Sequence, residues 1–120
     1  MILGCGVDLI EVARIERELT RRGRDPFDDL FSPDELAWCR SCRRPAEGYA
    51  LGFAAKEAVL KALGTGLVGR MAWRDVQIDF SGTRPEVGLQ GETAAVAAAL
   101  RRGHRERHAA AWVVLAGSRD

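Results

Sequence analysis

The longest helical pattern of hydrophobic and polar positions runs from Pro45 to Leu63. Strong helix formers fill most of it, proline suits its first turn, and apolar residues recur on one helix face. Gly64 follows as the expected C-cap, because glycine alone enters the left-handed conformation without steric cost. The apolar stripe consists of Phe53, Val59, Leu60 and Leu63. The polar exceptions along the helix are Lys56, Glu57 and Lys61.

Three shorter patterns precede this helix. Met1–Asp8 is mostly apolar and predicts a strand, in which glycines mark a place of close approach by backbone or ligand. Glu11–Arg21 predicts an amphipathic helix, and Ser32 with Glu35 predicts a capping box that starts a helix ending near Cys42. The inner positions of the first helix are predicted to be Ile10, Val12, Ile15 and Leu19. Its outer face is basic, with Arg14, Arg17, Arg21 and Arg22.

The patterns after the long helix predict a hairpin, a helix and a last strand. Trp73–Phe80 alternates apolar and polar residues, and Glu86–Gln90 returns beside it. Glu92–Leu100 is alanine-rich and helical, whereas Ala109–Ala116 is almost entirely apolar, as expected for a strand covered on both faces. Helices and strands segregate, so we predict an α+β fold in a single domain, with a largely antiparallel sheet packed on the long helix.

Composition narrows the class of protein. The chain has 120 residues, 47% of them hydrophobic, and a net charge of +1, which favours a folded domain over a disordered segment or a polyanion-binding protein. No apolar run approaches the ~20 residues that cross a bilayer, so we expect a cytoplasmic protein with no membrane contact. Three cysteines suit a reducing compartment, and the Cys39–Cys42 pair lacks the further ligands of a zinc site.

Two carboxylates are the candidate chemistry. Asp8 ends the apolar run of the first strand, and Glu57 lies in the long helix among small residues. If the fold brings them together, they offer the oxygen ligands that Mg²⁺ prefers. Lys61 would then neutralise a phosphate, which the backbone from Gly64 to Gly66 would approach closely.

Two simpler interpretations stay open for these residues. Glu57 and Lys61 are four apart on a helix, so they could form an ordinary surface salt bridge. Asp8 could be a helix cap for the segment after it. Sequence spacing does not decide between these interpretations and a shared metal site.

The segments GVDLIEVARIER at Gly6–Arg17 and GFAAKEAVLKALGTG at Gly52–Gly66 resemble the small 4′-phosphopantetheinyl transferases of the holo-acyl-carrier-protein synthase type. Members carry G-(I/V)-D-(I/L)-x-x-x-x-R-(I/L) near the N-terminus and F-x-A-K-E-A-x-x-K-A-L-G-T-G in mid-chain. Gly69–Ile78 also resembles the family's strand after the motif helix. Both motifs occur here in the family's order and separation, so the resemblance is specific.

The resemblance implies an enzyme that moves the phosphopantetheine arm of coenzyme A onto a serine of an apo acyl carrier protein. Asp8 and Glu57 match the family's magnesium-binding carboxylates, and Lys61 matches a lysine that engages the phosphates. Arg14, and with it Arg21 on the same basic face, is expected to meet the acidic helix of the carrier protein. A homotrimer with active sites between subunits is also implied, with Asp8 and Glu57 possibly contributed by different chains.

The mechanism expected from this resemblance is an attack on a phosphate. Magnesium on Asp8 and Glu57 would clamp the pyrophosphate of coenzyme A while the carrier serine attacks the β-phosphate. Lys61 and the metal would stabilise the charge on the departing 3′,5′-ADP. The group that takes the serine proton stays open between Glu57 and a bound water.

Two positions depart from the family pattern. Gly52 stands where many relatives have arginine, so a phosphate contact is either missing or supplied by an arginine such as Arg43 or Arg44. His104 matches a family histidine involved in substrate binding, but the serines before it are absent.

These departures allow a second interpretation, a coenzyme A-binding homologue without turnover. A third interpretation is a nucleic-acid patch at Arg101, Arg102, Arg105 and Arg107. The near-neutral charge and the absence of interleaved aromatic residues disfavour it, and we expect no nucleic-acid partner.

Overall fold

The computed structural model describes residues 2–21, 23, 25–102 and 109–117, and the side chains of residues 6–21, 23 and 25–100. Its strands and helices are, in chain order, β1 (Ile2–Glu11), α1 (Val12–Thr20), α2 (Pro33–Ser41), α3 (Pro45–Leu63), β2 (Val76–Asp79), β3 (Glu86–Leu89), α4 (Gly91–Arg102) and β4 (Ala109–Gly117). The sequence-based expectations for Arg22, His104, Arg105 and Arg107 lie outside the described residues. No helix in the described ranges is long and apolar enough to span a membrane.

The long helix α3 has the predicted bounds. Pro45 occupies its first turn, and Gly64 caps it in the left-handed conformation with a φ of 77°. The amide of Gly64 donates to the carbonyls of Leu60 and Lys61 at 3.1 and 3.0 Å. Strands β1, β2 and β4 and helices α1, α2 and α4 all contact α3, which makes it the centre of the fold.

Helices α1 and α2 also follow their predicted patterns. Val12 and Ile15 are buried on the inner face of α1, as its periodicity predicts. At the start of α2, the amide of Glu35 donates to Ser32 Oγ at 3.2 Å, and the amide of Ser32 donates to Glu35 Oε1 at 2.8 Å. The predicted capping box is therefore confirmed, with Pro33 in the first turn.

The strands form two separate pairs in the described chain. The hairpin β2–β3 is antiparallel, as predicted, but β1 and β4 pair in parallel, with Asp8 opposite Val114. The expectation of a largely antiparallel sheet is therefore correct for the hairpin only. Four helices lie between β1 and β4, and a connection of that length can return the chain to the start of β1.

The first hairpin strand is shorter than its alternation predicts. Trp73–Asp75 forms a 3-10 turn, and β2 begins only at Val76. The carboxylate of Asp75 accepts hydrogen bonds from the Ala72 amide at 3.1 Å and from Thr93 Oγ1 at 3.2 Å. These contacts tie the turn to α4 and prevent residues 73–75 from extending.

The core consists of two clusters along α3. The cluster near its beginning contains Val12, Ile15, Phe27, Phe31, Leu36, Cys39, Ala46, Tyr49 and Ala50. The cluster near its end contains Ala55, Val59, Leu60, Met71, Val76 and Ile78. The outer face of β1 is uncovered, because Val7 is 52% exposed and Leu9 is 70% exposed.

Candidate active site

Strand β1 touches α3 backbone to backbone at Gly6. A Cβ at Gly6 would lie 1.7 Å from the carbonyl oxygen of Ala58 and 2.9 Å from the amide nitrogen of Ala62. No side chain fits there, so this glycine has a steric reason beyond chain flexibility. The contact places Asp8, two residues later in β1, beside the turn of α3 that carries Glu57.

Lys61 connects the two elements. Its Nζ donates to Asp8 Oδ1 at 2.8 Å and to the carbonyl of Val7 at 3.0 Å. The Asp8 side chain is 15% exposed and the Lys61 side chain is 51% exposed. The hydrogen bond to Asp8 raises the pKa of Lys61, so its side chain is positively charged at neutral pH.

The structure supports neither of the two simpler interpretations of these residues. Lys61 pairs with Asp8 in another element, and no ion pair joins it to Glu57 among the described side chains. Asp8 is not a helix cap, because it lies inside β1 and the N-cap of α1 is Glu11.

Glu57 is the third member of the group. Its pKa is raised by burial first and by the charge of Asp8 second, while Lys61 opposes the shift. Asp8 acts on Glu57 within one chain, and the contribution of different subunits to the site stays a prediction. Two carboxylates that repel each other beside a half-exposed lysine are a candidate site for a divalent cation.

The donor set fits magnesium. Mg²⁺ is usually held by one or two carboxylates, together with waters and substrate phosphates. A transition-metal site would use more protein ligands, and the described ranges contain no group of three or more histidine, cysteine or acidic residues placed to hold one.

The glycines after α3 lie next to this group. Gly64 and Gly66 are exposed and have φ values of 77° and 63°. Thr65 Oγ1 donates to the carbonyl of Gly66 at 3.0 Å, which tightens the loop. Since a helix C-terminus is the negative end of the dipole, a phosphate here depends on Lys61 for its positive charge.

The basic face of α1 is exposed to solvent. Arg14 and Arg21 both point outward, and Arg21 pairs with Glu18 at 3.3 Å. Arg14 forms no ion pair with any residue whose side chain is described. His104, the remaining predicted substrate contact, lies outside the described residues.

Phe31 occupies the space that a side chain at position 52 would need. A Cβ on Gly52 would lie 2.9 Å from the Phe31 ring, so the glycine is buried under that ring. Arg44 forms ion pairs with Glu16 and Glu47, both at 2.9 Å. Arg44 precedes Glu57 by thirteen positions, a rise of about 20 Å along the helix. A phosphate contact from Arg43 or Arg44 stays a prediction.

The two neighbouring cysteines carry no sign of reactivity. Cys39 is buried, and burial raises the pKa of its thiol to about 12. Cys42 Sγ donates to the Trp38 carbonyl at 3.4 Å. A thiol that is not ionised at neutral pH is a poor nucleophile and a poor metal ligand.

Sequence reasoning missed the burial of Lys56. Its side chain is fully buried, and its Nζ lies 2.9 Å from Glu35 Oε1, whose side chain is 7% exposed. Burial lowers the pKa of Lys56, and Glu35 opposes the shift. A signal was available, because Lys56 follows Gly52 by four residues and precedes Leu60 by four, which places it on the apolar face of α3.

Comparisons with known proteins agree with this geometry. The family model described as the 4′-phosphopantetheinyl transferase superfamily matches residues 4–113. A holo-acyl-carrier-protein synthase of Koribacter versatilis is 39% identical over 96% of this chain and 98% of its own length. One of Geobacter sp. (strain M21) is 47% identical over 78 residues, which are 65% of this chain and 62% of that protein.

A solved structure extends the likeness to the fold. The Helicobacter pylori holo-acyl-carrier-protein synthase in complex with coenzyme A aligns with a TM-score of 0.65 and 29% identity, over 76% of this chain and 77% of that one. The predicted family resemblance and fold are therefore confirmed. On its sequence, its fold and the convergence of Asp8, Glu57 and Lys61, the chain belongs to the 4′-phosphopantetheinyl transferase superfamily.

Proposed function

We propose that this protein is a magnesium-dependent holo-acyl-carrier-protein synthase. It transfers the 4′-phosphopantetheine arm of coenzyme A to a serine of an apo acyl carrier protein and releases 3′,5′-ADP. The observation that carries the proposal is the convergence of Asp8, Glu57 and Lys61 at the contact between β1 and α3. Family membership supports the reaction, and the relative solved with coenzyme A supports the substrate.

Asp8 and Glu57 would hold the magnesium ion. When bound, the ion supplies positive charge to the pyrophosphate of coenzyme A and stabilises the charge that develops there. Burial raises the pKa of Glu57 most and the charge of Asp8 raises it further, and a bound cation would offset that repulsion.

Lys61 acts on the leaving group. Its ammonium donates to Asp8 and is half-exposed, so it can also donate a hydrogen bond to a phosphate oxygen. The carrier serine oxygen forms a bond to the β-phosphorus, and the bond from that phosphorus to the 3′,5′-ADP oxygen breaks. The electron pair leaves with 3′,5′-ADP, where Lys61 stabilises the negative charge.

Glu57 is this chain's candidate for the proton acceptor. Because it is a carboxylate beside the proposed phosphate site, Glu57 can accept a proton there, and a bound water is the other candidate. When the carrier serine attacks the β-phosphorus, the proton of its hydroxyl moves to Glu57 as the new phosphate ester forms.

The exposed basic face of α1 is the proposed docking site for the carrier protein. Arg14 offers an unpaired charge within the described part of the chain, and Arg21 shares its charge with Glu18. A positive patch on α1 would steer an acidic carrier protein into the correct orientation and raise its rate of association.

We further propose a homotrimer with its active sites between subunits. The side chains of Val7 and Leu9 are uncovered on the face of β1 opposite Asp8, and a neighbouring subunit that packs against this strand would cover them. A single domain over residues 1–120 and a cytoplasmic location remain predictions from the sequence.

A transfer assay tests the proposed reaction. The protein is incubated with coenzyme A, Mg²⁺ and several apo carrier proteins, and mass spectrometry detects the added phosphopantetheine. We expect the product with wild type and loss of product with Asp8→Ala and Glu57→Ala. Coenzyme A binding without transfer to any carrier would instead support the homologue that lacks turnover, an outcome to which the replacement at Gly52 points.

A further inference from the structure

Lys56 joins three elements of the fold at one buried point. Its Nζ donates to Glu35 Oε1 of α2 at 2.9 Å, to the carbonyl of Val76 in β2 at 2.6 Å and to the carbonyl of Trp73 at 3.1 Å. All three ammonium protons are therefore used, which is what a buried charge requires. The ring of Phe31 lies 5.3 Å from the same nitrogen and closes the site.

Both carboxylate oxygens of Glu35 also accept hydrogen bonds. Its Oε1 accepts from the Ser32 amide at 2.8 Å as well as from Lys56, and its Oε2 accepts from the Ile78 amide at 3.0 Å. One carboxylate thus binds the start of α2, the middle of α3 and the first hairpin strand. All three protons of Lys56 and both oxygens of Glu35 bond within the fold, so the role of the pair is internal.

The buried face of α3 has few large side chains, because most of its residues are alanine or glycine. Small side chains provide few projections to fix how far the helix is rotated or shifted along its axis. A buried polar contact with directional bonds can fix that register, which is the best-attested use of buried ion pairs. The Lys56–Glu35 pair is the buried ion pair on the described part of α3.

The register of α3 at this point sets the position of Glu57. Neighbouring residues on a helix point about 100° apart, so fixing Lys56 inward turns Glu57 toward the edge that faces β1. On that edge, the backbone contact between Gly6 and Ala58 fixes the distance to β1. Glu57 thus lies between two anchors, one on each side of the helix.

We propose that the Lys56–Glu35 pair is a positioning device for the metal site, which holds Glu57 at the correct place relative to Asp8. This inference rests on the proposed function, since it assigns to the pair a role in that same site. Lys56 and Glu35 are positioning residues and touch neither metal nor substrate.

Direct metal binding tests the inference. Mn²⁺ serves as a paramagnetic substitute for Mg²⁺, and electron paramagnetic resonance measures its affinity in the presence of coenzyme A. We expect Lys56→Met, which keeps the length and loses the bonds, to weaken Mn²⁺ binding about tenfold to a hundredfold, the usual cost of losing a group that orients a metal ligand. The Mg²⁺ concentration that gives half-maximal transfer should rise by the same factor.

Phe27→Leu is the control, because Phe27 is buried in the core but has no hydrogen bond to Lys56 or Glu35. It should lower the melting temperature and leave Mn²⁺ affinity unchanged. A purely structural role for Lys56 predicts the same result for Lys56→Met: a lower melting temperature with wild-type Mn²⁺ affinity. That result would overturn the inference.

Glu35→Gln provides the gentler variant if Lys56→Met does not fold. It keeps an oxygen for Lys56 but loses the acceptor for the Ile78 amide, so Mn²⁺ affinity should fall by a smaller factor, and an unchanged affinity would overturn the inference. Glu57→Gln separates the two proposals. If it binds Mn²⁺ as wild type does, the proposed metal site is wrong and the positioning role fails with it; if it alone loses Mn²⁺, only the positioning role fails.

Discussion

Two lysine–carboxylate pairs on α3 have almost the same geometry and opposite surroundings. The nitrogen–oxygen distance is 2.9 Å for Lys56 and Glu35 and 2.8 Å for Lys61 and Asp8. Lys56 is fully buried, and burial lowers its pKa; Lys61 is half-exposed, and its hydrogen bond to Asp8 raises its pKa. The first pair is closed to other partners, whereas the second can exchange a partner for a phosphate. Burial, more than contact distance, separates a structural pair from a reactive one.

The largest expected difference between the two pairs is in stability. Glu35→Ala leaves a buried lysine without its counter-charge, which costs about 3–5 kcal/mol. Asp8→Ala removes an equivalent contact at the surface and should cost far less. Urea unfolding followed by circular dichroism measures both losses. Equal losses would contradict the distinction that we draw between the pairs.

Transfer activity should depend more on the exposed Lys61–Asp8 pair than on the buried Lys56–Glu35 pair. Lys61→Met removes a cation from the departing phosphate, so we expect transfer to fall about 10²- to 10³-fold, the usual cost of one transition-state donor. Its unfolding midpoint should stay close to that of wild type. If unfolding accounted for the whole loss of activity, the role of Lys61 would be structural, like that of Lys56.

Gly6→Ala tests the contact that brings Asp8 to Glu57. The new methyl group would lie 1.7 Å from the Ala58 carbonyl, so β1 must move away from α3. Overpacking of this kind costs about 1–3 kcal/mol, and the transfer rate should fall as the carboxylates separate. Gly82→Ala is the control, because its nearest atom is 3.6 Å away. A Gly6→Ala variant with normal stability would show that the strand is not held there.

The smallest effect concerns pH and Glu57. Its folded pKa lies above the unfolded value, so the folded chain binds the extra proton, and stability without metal decreases as pH rises through that range. At pH 7 without Mg²⁺, Glu57→Gln should therefore be at least as stable as wild type. Adding Mg²⁺ and coenzyme A should raise the melting temperature of wild type only. Calorimetry with and without Mg²⁺ checks both statements, and a destabilised metal-free Glu57→Gln would contradict them.

Local signals in the sequence predicted the local features well. The bounds of α3, its Gly64 cap and the capping box of Ser32 and Glu35 each depend on residues within one or two helical turns. Asp8, Glu57 and Lys61 were identified as candidates from residue type and family motifs. The ion pair between Lys61 and Asp8 was not predicted. Glu57 is the nearer acid in sequence, whereas Asp8 lies 53 residues away.

Features that depend on distant segments could not be predicted from pattern alone. The direction of β4 beside β1 is set by how four helices pack between them. Phe31 fills the space above Gly52, and Glu35 meets Lys56 across 21 residues, through packing that no local motif records. The periodicity of α3 carried a signal that was missed, because Lys56 falls on the apolar face and a buried lysine requires an acidic partner.

The most direct test of the central claim is a crystal structure with Mn²⁺ and coenzyme A, in which anomalous scattering locates the ion. We expect one ion bound by carboxylate oxygens of both Asp8 and Glu57, at about the 2.0–2.1 Å of a magnesium site, with Lys61 on a phosphate oxygen. An ion bound by other residues, or carboxylates of Asp8 and Glu57 too far apart to share one, would contradict the account.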